Sequence, residues 1–164
     1  MRASLSHLQA SQAGPVSVAG CIVDAMGRTR LPAAVHVKTT GVDSLPPVIA
    51  AQQGLTLVFS NLLENAVDAM GSAGQIEING RSSKDWVEVD VCDSGPGIAP
   101  ELHERIFELS YSARRGARSG RLGFGLWWVK TWMTRLGGSI AVQSDGGGSG
   151  ARFTLRLPRA GDAP

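Results

Sequence analysis

Three groups of residues have types and spacings suited to chemistry. In NLLENAVDAM, residues 61–70, the polar residues Asn61, Glu64, Asn65 and Asp68 recur at helical intervals and share one face, while Leu62, Leu63, Ala66 and Ala69 fill the rest. Taken alone, such a stripe is more often a solvated surface. The second group is DSGPGI, residues 93–98. A carboxylate only accepts hydrogen bonds, so Asp93 suits a ligand carrying an exocyclic amine, and Gly95 and Gly97 let the backbone turn and approach a flat ring. By itself D-x-G-x-G also describes a plain turn capped by an aspartate. The third is GRLGFGL, residues 120–126, which runs into a helical pattern. Glycines at a helix start expose free N–H groups, and the helix dipole places about half a positive charge there, an arrangement suited to phosphates. Simple turns use glycine as well.

The elements that must position these groups follow from periodicity. Ile76 and Ile78, then Val87, Val89 and Val91, then Ile140 and Val142, then Phe153, Leu155 and Leu157 alternate with polar residues and predict four strands sharing an apolar face that helices must cover. The opposite face carries Glu77, Glu88, Asp90, Gln143, Arg152, Thr154 and Arg156, with Trp86 and Cys92, and suits water. Asp93 continues the parity of Val87, Val89 and Val91, which points its carboxylate beneath the helical layer, where an unpaired charge is expensive. Upstream, residues 16–26 read as an amphipathic helix closed by Gly27, and 34–40 as a strand with Val35 and Val37 against His36 and Lys38. Gly14-Pro15 reads as a break and 71–74 as a turn. Between the strand pairs lie a short helix at 100–107, a loop at 108–122 rich in Arg, Ser and Gly, and a helix at 125–136. In that last helix Trp128, Val129, Trp132 and Met133 face the core. The class is an α/β two-layer sandwich.

The chain has 164 residues, enough for one domain with a real core, and a formal charge of +2. Only Arg114, Arg115, Arg118 and Arg121 cluster, so nucleic acid is not the expected partner. Cys21 and Cys92 are too few for a disulfide scaffold, and no charged leader with an apolar run opens the chain, which predicts a cytoplasmic protein with reduced thiols. Apolar runs fall short of the roughly 20 residues of a membrane span, so no membrane contact by this domain is expected. His7 and His36 read as surface residues.

The order of an Asn-rich helix, D-x-G-x-G, a short helix ending in Phe107, a loop and G-x-G opening a helix is far more specific than any one part. Over residues 15–158 the chain resembles the GHKL superfamily with the Bergerat ATP-binding fold, and within it the catalytic ATP-binding domain of bacterial sensor histidine kinases. The resemblance implies a mixed, mostly antiparallel sheet with helices on one face, and ATP and Mg²⁺ as cofactors. It implies that Asn65 is the metal ligand and that Asn61, Glu64 and Asn65 are the catalytic group on the central helix. Nucleotide contacts would come from Asn65, Asp68, Asp93, Gly95, Gly97, Ile98, Phe107, Arg121, Leu122, Gly123, Gly125 and Leu126. Asp93 would accept from the adenine amine, 108–122 would be the lid, and Gly123 and Gly125 would lie at the phosphates. NLLENAVDAM resembles the nitrogen-regulation branch; Asp68 stands where many relatives have Lys, and Ala151 where many have Thr.

Gyrase-like and mismatch-repair ATPases of this fold place a water-activating Glu four residues before the metal-binding Asn. Here that position is Asn61, and an amide takes no proton at neutral pH, which favours phosphoryl transfer over hydrolysis. The implied function is donation of the γ-phosphate to a histidine on a separate dimerisation domain, with a response regulator downstream. A stand-alone anti-sigma serine kinase and a degenerate nucleotide-binding interaction module are the alternatives. No histidine sits in the family's phosphoacceptor motif, and the 15 residues before Val16 are too few for the dimerisation hairpin. The expectation is an excised domain, with 1–15 a linker or helical remnant, 16–158 the catalytic domain and 159–164 a tail.

Overall fold

A computed structural model describes residues 13–109, 111 and 125–161. One five-stranded sheet carries the fold. It consists of β2 (Ala34–Thr40), β4 (Ala73–Ser82), β5 (Trp86–Asp93), β7 (Ala151–Pro158) and β6 (Ser139–Gln143), in that spatial order. The β2–β4 pair is parallel and the other three pairs are antiparallel. Three helices, α1 (Val18–Arg28), α2 (Gln52–Met70) and α3 (Gly125–Arg135), supply the second layer. Register joins Ile78, Val91, Phe153 and Val142 in one inward row, and Val89, Leu155 and Ile140 in another. A slip of one residue would turn every member outward, so the buried face itself fixes the pairing. Ile140 and Val142 are only half-buried because β6 is the sheet's edge. No described helix is long and apolar enough to cross a membrane.

The central helix is longer than its polar stripe. Leu55, Val58, Phe59, Leu62, Leu63 and Ala66 of α2 are buried against the sheet and α1, leaving Asn61, Glu64 and Asn65 half-buried beside that seam and Asp68 exposed. In α1, Val18, Cys21, Ile22 and Ala25 recur at helical spacing and are buried. Cys21 and Cys92 are both free thiols.

Several local expectations are corrected. Gly14–Val16 form β1, paired with β3 (Val48–Ala50), where the sequence suggests a break; Pro15 lacks an N–H but a short edge strand tolerates it. The first helix accordingly starts later, with Ser17 Oγ accepting from Gly20 N at 3.1 Å as its cap. At the far end Arg159 bridges Val48, and Ala160 N donates to Pro47 O at 2.9 Å. The turn at 71–74 is shorter, because β4 already begins at Ala73.

The segment 100–107 is not one helix but two 3₁₀ turns, Pro100–Leu102 and Arg105–Phe107. Its main chain closes through i to i+3 bonds, such as Leu102 N to Ala99 O, while Ile106 and Phe107 turn inward. Asp90, expected to face water, is buried on the outer face. Arg81 reaches across from β4 to pair with it and with Glu88, and Thr154 Oγ1 donates to its Oδ1 at 2.7 Å. In α3 the fully buried residues are Leu126, Val129 and Met133. Trp128 and Trp132 are half-buried instead, stacked with centroids 6.1 Å apart, because helical spacing gives the direction of a side chain and not how far the core extends over it.

Candidate nucleotide site

The site assembles where the last turns of α2, the loop after β5 and the first residue of α3 meet. Asp93 ends β5 in the inward row, with Ile76 and Ala151 as its cross-strand neighbours. Its carboxylate therefore points under the helices, as parity requires. Oδ1 accepts from Gly95 N at 2.9 Å. Burial pushes the carboxyl pKa up, while the backbone N–H groups of Gly95 and Ala151 pull it down. Gly95 packs directly on α2: a Cβ there would stand 2.8 Å from Asp93 Oδ1 and 3.3 Å from Ala69 Cβ. A side chain at Gly95 would separate the loop from the helix face that carries Asn61 and Asn65.

At the other end of that face, Asn61 Nδ2 donates to Leu57 O at 3.0 Å, which turns its carbonyl oxygen toward α3. A Cβ on Gly125 would lie 3.2 Å from Asn61 Oδ1, so the first residue of α3 abuts the amide. Asn65, one turn on, has its Nδ2 buried with no hydrogen-bond partner among the described residues. Its buried amide NH₂ is a donor left in reserve. Glu64 and Asp68 lie on neighbouring directions of α2, half-buried and exposed respectively.

Gly97 has φ 81°, a conformation that favours glycine, and a Cβ there would stand 2.8 Å from Ser144 Oγ. The next residue, Ile98, donates its N–H to the same Ser144 oxygen at 2.8 Å. Ser144 was not among the sequence candidates, since a serine in a Gly- and Ser-rich hairpin reads as turn chemistry. Phe107 and Leu126 belong to the core; Phe107 meets Phe153 edge-on at 6.4 Å, and Lys130 Nζ lies 5.5 Å from the Phe107 ring centroid. The candidates Arg121, Leu122 and Gly123, with Arg114, Arg115 and Arg118, lie outside the described residues. Among the described residues no group of three or more His, Cys, Asp or Glu side chains could hold a metal ion.

Residues 50–161 match the model of the family described as histidine kinase-, DNA gyrase B-, and HSP90-like ATPase. Among curated proteins, the chain is 37% identical over 124 residues to the sensor histidine kinase ZraS of Escherichia coli O157:H7, covering 76% of this chain and 26% of that protein. It is also 37% identical over 126 residues to the adaptive-response sensory kinase SasA of Synechococcus sp. (strain CC9902), covering 76% and 33%. The chain thus spans about a quarter to a third of the length of these relatives. Among solved structures, a mycobacterial sensor histidine kinase, MprB, superposes with a TM-score of 0.76 at 23% identity, covering 92% of this chain and 99% of that one. Full-length ShkA in complex with AMPPNP superposes with a TM-score of 0.74 at 26% identity, covering 93% and 32%.

Proposed function

Because the chain belongs to the histidine kinase-, DNA gyrase B- and HSP90-like ATPase family, as a catalytic domain of the sensor histidine kinase type, we propose that it binds Mg·ATP and donates the γ-phosphate to a histidine on a separate dimerisation domain. Asp93 accepts from the exocyclic amine of adenine, and Gly95 and Gly97 admit the flat ring against the backbone. The start of α3 at Gly125 would offer main-chain N–H groups to the phosphates, with Arg121, Leu122 and Gly123 ahead of it in sequence. Asn65 would hold the magnesium ion together with oxygens of the nucleotide, as suits a cation that takes one or two protein groups plus phosphates. When bound, that ion neutralises charge on the phosphates. ShkA, which shares this fold, was solved in complex with AMPPNP, and that supports a nucleotide as the ligand.

One observation carries transfer rather than hydrolysis. Asn61 holds its Nδ2 on Leu57 O at 3.0 Å beside Gly125, so an amide stands where a water-activating carboxylate would be needed. An amide has no basic atom at neutral pH. The acceptor is then external, a histidine on a dimerisation domain, and a response regulator follows as the next acceptor. In this scheme residues 16–158 are the catalytic unit and act in the cytoplasm, without contact to nucleic acid or membrane.

The test is thermal unfolding with Mg·ATP and with Mg·GTP, alongside phosphate release. At 100 times its Kd a ligand adds about 2.7 kcal/mol, which at about 2–4 °C per kcal/mol gives a rise of roughly 5–11 °C for ATP and much less for GTP. Phosphate release should be slow, and Asn61→Glu should quicken it. Equal shifts for the two nucleotides would remove Asp93 as the adenine reader; rapid release by the unaltered chain would replace transfer with hydrolysis.

A further inference from the structure

The loop that follows Asp93 is fastened to the hairpin between β6 and β7. Two main-chain bonds cross between them: Gly150 N donates to Gly95 O at 3.0 Å, and Gly148 N donates to Pro96 O at 2.8 Å. The third fastening is a side chain. Ser144 Oγ donates to Gly150 O at 2.7 Å and accepts from Ile98 N at 2.8 Å and Gly146 N at 3.3 Å. A hydroxyl has one donor and two acceptor sites, so all its capacity is used here. Those bonds tie two points of the hairpin, Gly146 and Gly150, to Ile98, which lies 46 positions from Ser144.

The two backbones approach too closely to admit side chains at the contact. Gly150 has φ 73°, and a Cβ on it would fall 1.9 Å from Asp93 O. One on Gly97 would fall 2.8 Å from Ser144 Oγ and 3.1 Å from Gly150 O. A continuous path therefore runs from the Ser144 hydroxyl through Gly150 to Gly95, whose N–H holds Asp93 Oδ1 at 2.9 Å.

We propose that Ser144 is a positioning residue for nucleotide recognition: its hydroxyl fixes the 95–98 loop, and through Gly150 and Gly95 it sets the direction of the Asp93 carboxylate and hence the selection of a 6-amino purine. Ser144 itself touches no ligand in this scheme. The proposal rests on Asp93 being the adenine reader, so the experiment must separate the failure of one from the failure of the other.

The readout is the ratio of dissociation constants for ADP and for purine riboside 5′-diphosphate, which lacks the 6-amino group. Both are measured by calorimetry well below the melting temperature for the unaltered chain, Asp93→Asn, Ser144→Ala and Ser144→Cys. The unaltered chain should prefer ADP, and Asp93→Asn should abolish the preference. Ser144→Ala should weaken ADP binding on the order of tenfold, the scale of one lost hydrogen bond with its partners left unsatisfied, and should bring the ratio toward unity. If alanine prevents folding, cysteine keeps the volume while its thiol bonds weakly, and it is read by the same ratio. A ratio untouched by Asp93→Asn would overturn the assignment of Asp93. A ratio lost in Asp93→Asn but intact in the folded Ser144 variants, even with a lower melting temperature, would overturn the role of Ser144 and leave it a hairpin residue.

Discussion

Replacing Gly54 by alanine sets helix propensity against packing, and the structure decides which wins. Gly54 occupies the first turn of α2 and is buried. Alanine there would ordinarily gain roughly 0.5–1 kcal/mol, because glycine is a poor helix former. A Cβ at this place, however, would stand 2.2 Å from Trp132 Cζ2 and 2.6 Å from Cε2. Favourable carbon contacts begin near 3.5 Å, so the indole must retreat by more than about 1 Å. It cannot do so freely, since Trp132 is stacked on Trp128 with an interplanar angle of 23°. Overpacking of this kind costs about 1–3 kcal/mol, and after the propensity gain we expect a net loss of about 1–2 kcal/mol. At about 2–4 °C per kcal/mol the melting temperature falls by roughly 2–8 °C. Urea unfolding of Gly54→Ala, Trp132→Leu and the double variant measures the coupling directly. In the Trp132→Leu background the cost of Gly54→Ala should vanish, which corresponds to an interaction energy of at least about 1–2 kcal/mol. Because α2 and α3 also meet at Asn61 and Gly125, the single variant should lose nucleotide affinity as well. A stabilised Gly54→Ala, or an equal cost in both backgrounds, would refute the close-approach account.

Two further outcomes follow from the site. Asp93 has its pKa raised by burial, so the folded state favours the proton: its stabilising share is full below the unfolded pKa and is lost as pH rises through the raised folded value. Asp93→Asn should therefore stabilise the ligand-free protein at neutral pH, by a margin that shrinks on acidification. ADP binding by the unaltered chain should weaken as pH falls, beginning above the ordinary aspartate range; calorimetry and melting across a pH series check both signs, and a flat response would contradict them. Gly150→Ala and Gly148→Ala both place a side chain at positive φ, 73° and 88°, a strain of about 1–2 kcal/mol. Only Gly150 adds a collision with Asp93 O, whereas nothing lies within 4 Å of a Cβ on Gly148. Gly150→Ala should lose several-fold more stability than Gly148→Ala and should alone weaken ADP binding, and equal effects in denaturant and calorimetry would count against the fastening of the two loops.

Much of this was legible in the sequence because a sheet with one buried face enforces period two. Val87, Val89 and Val91 gave the parity that directs Asp93 inward, and the register with Ile76 and Ala151 agrees. The polar stripe of α2 was readable for the same kind of reason, with 3.6 in place of two. What escaped depends on contacts between distant segments. Nothing local in Gly14-Pro15 announces a strand whose partner is Val48–Ala50. Asp90 is buried between partners on neighbouring strands, Arg81 and Thr154, that no local pattern announces. Ser144 lies in a turn-like sequence, and its value comes from Ile98 and Gly150 closing on it.

The same geometry explains why an aspartate can sit in this row at all. Gly95 and Ala151 offer it main-chain N–H groups, which offset part of the desolvation without using up a carboxylate that has about four acceptor positions. Ala151 contributes a methyl where many relatives have the hydroxyl of Thr, so that residue's share in holding the carboxylate comes from the backbone alone. The remaining acceptor capacity is directed under the helices, toward the face that carries Asn61 and Asn65. In the proposed function, a ligand amine that filled it would remove part of a cost the unliganded fold must bear, so that recognition of the base and instability of the empty site would be two readings of one buried charge. On the proposal made above, fastening the loop through Ser144 would then matter more than it would around a neutral residue, because a carboxylate free to swing outward would regain water and hold an amine less well.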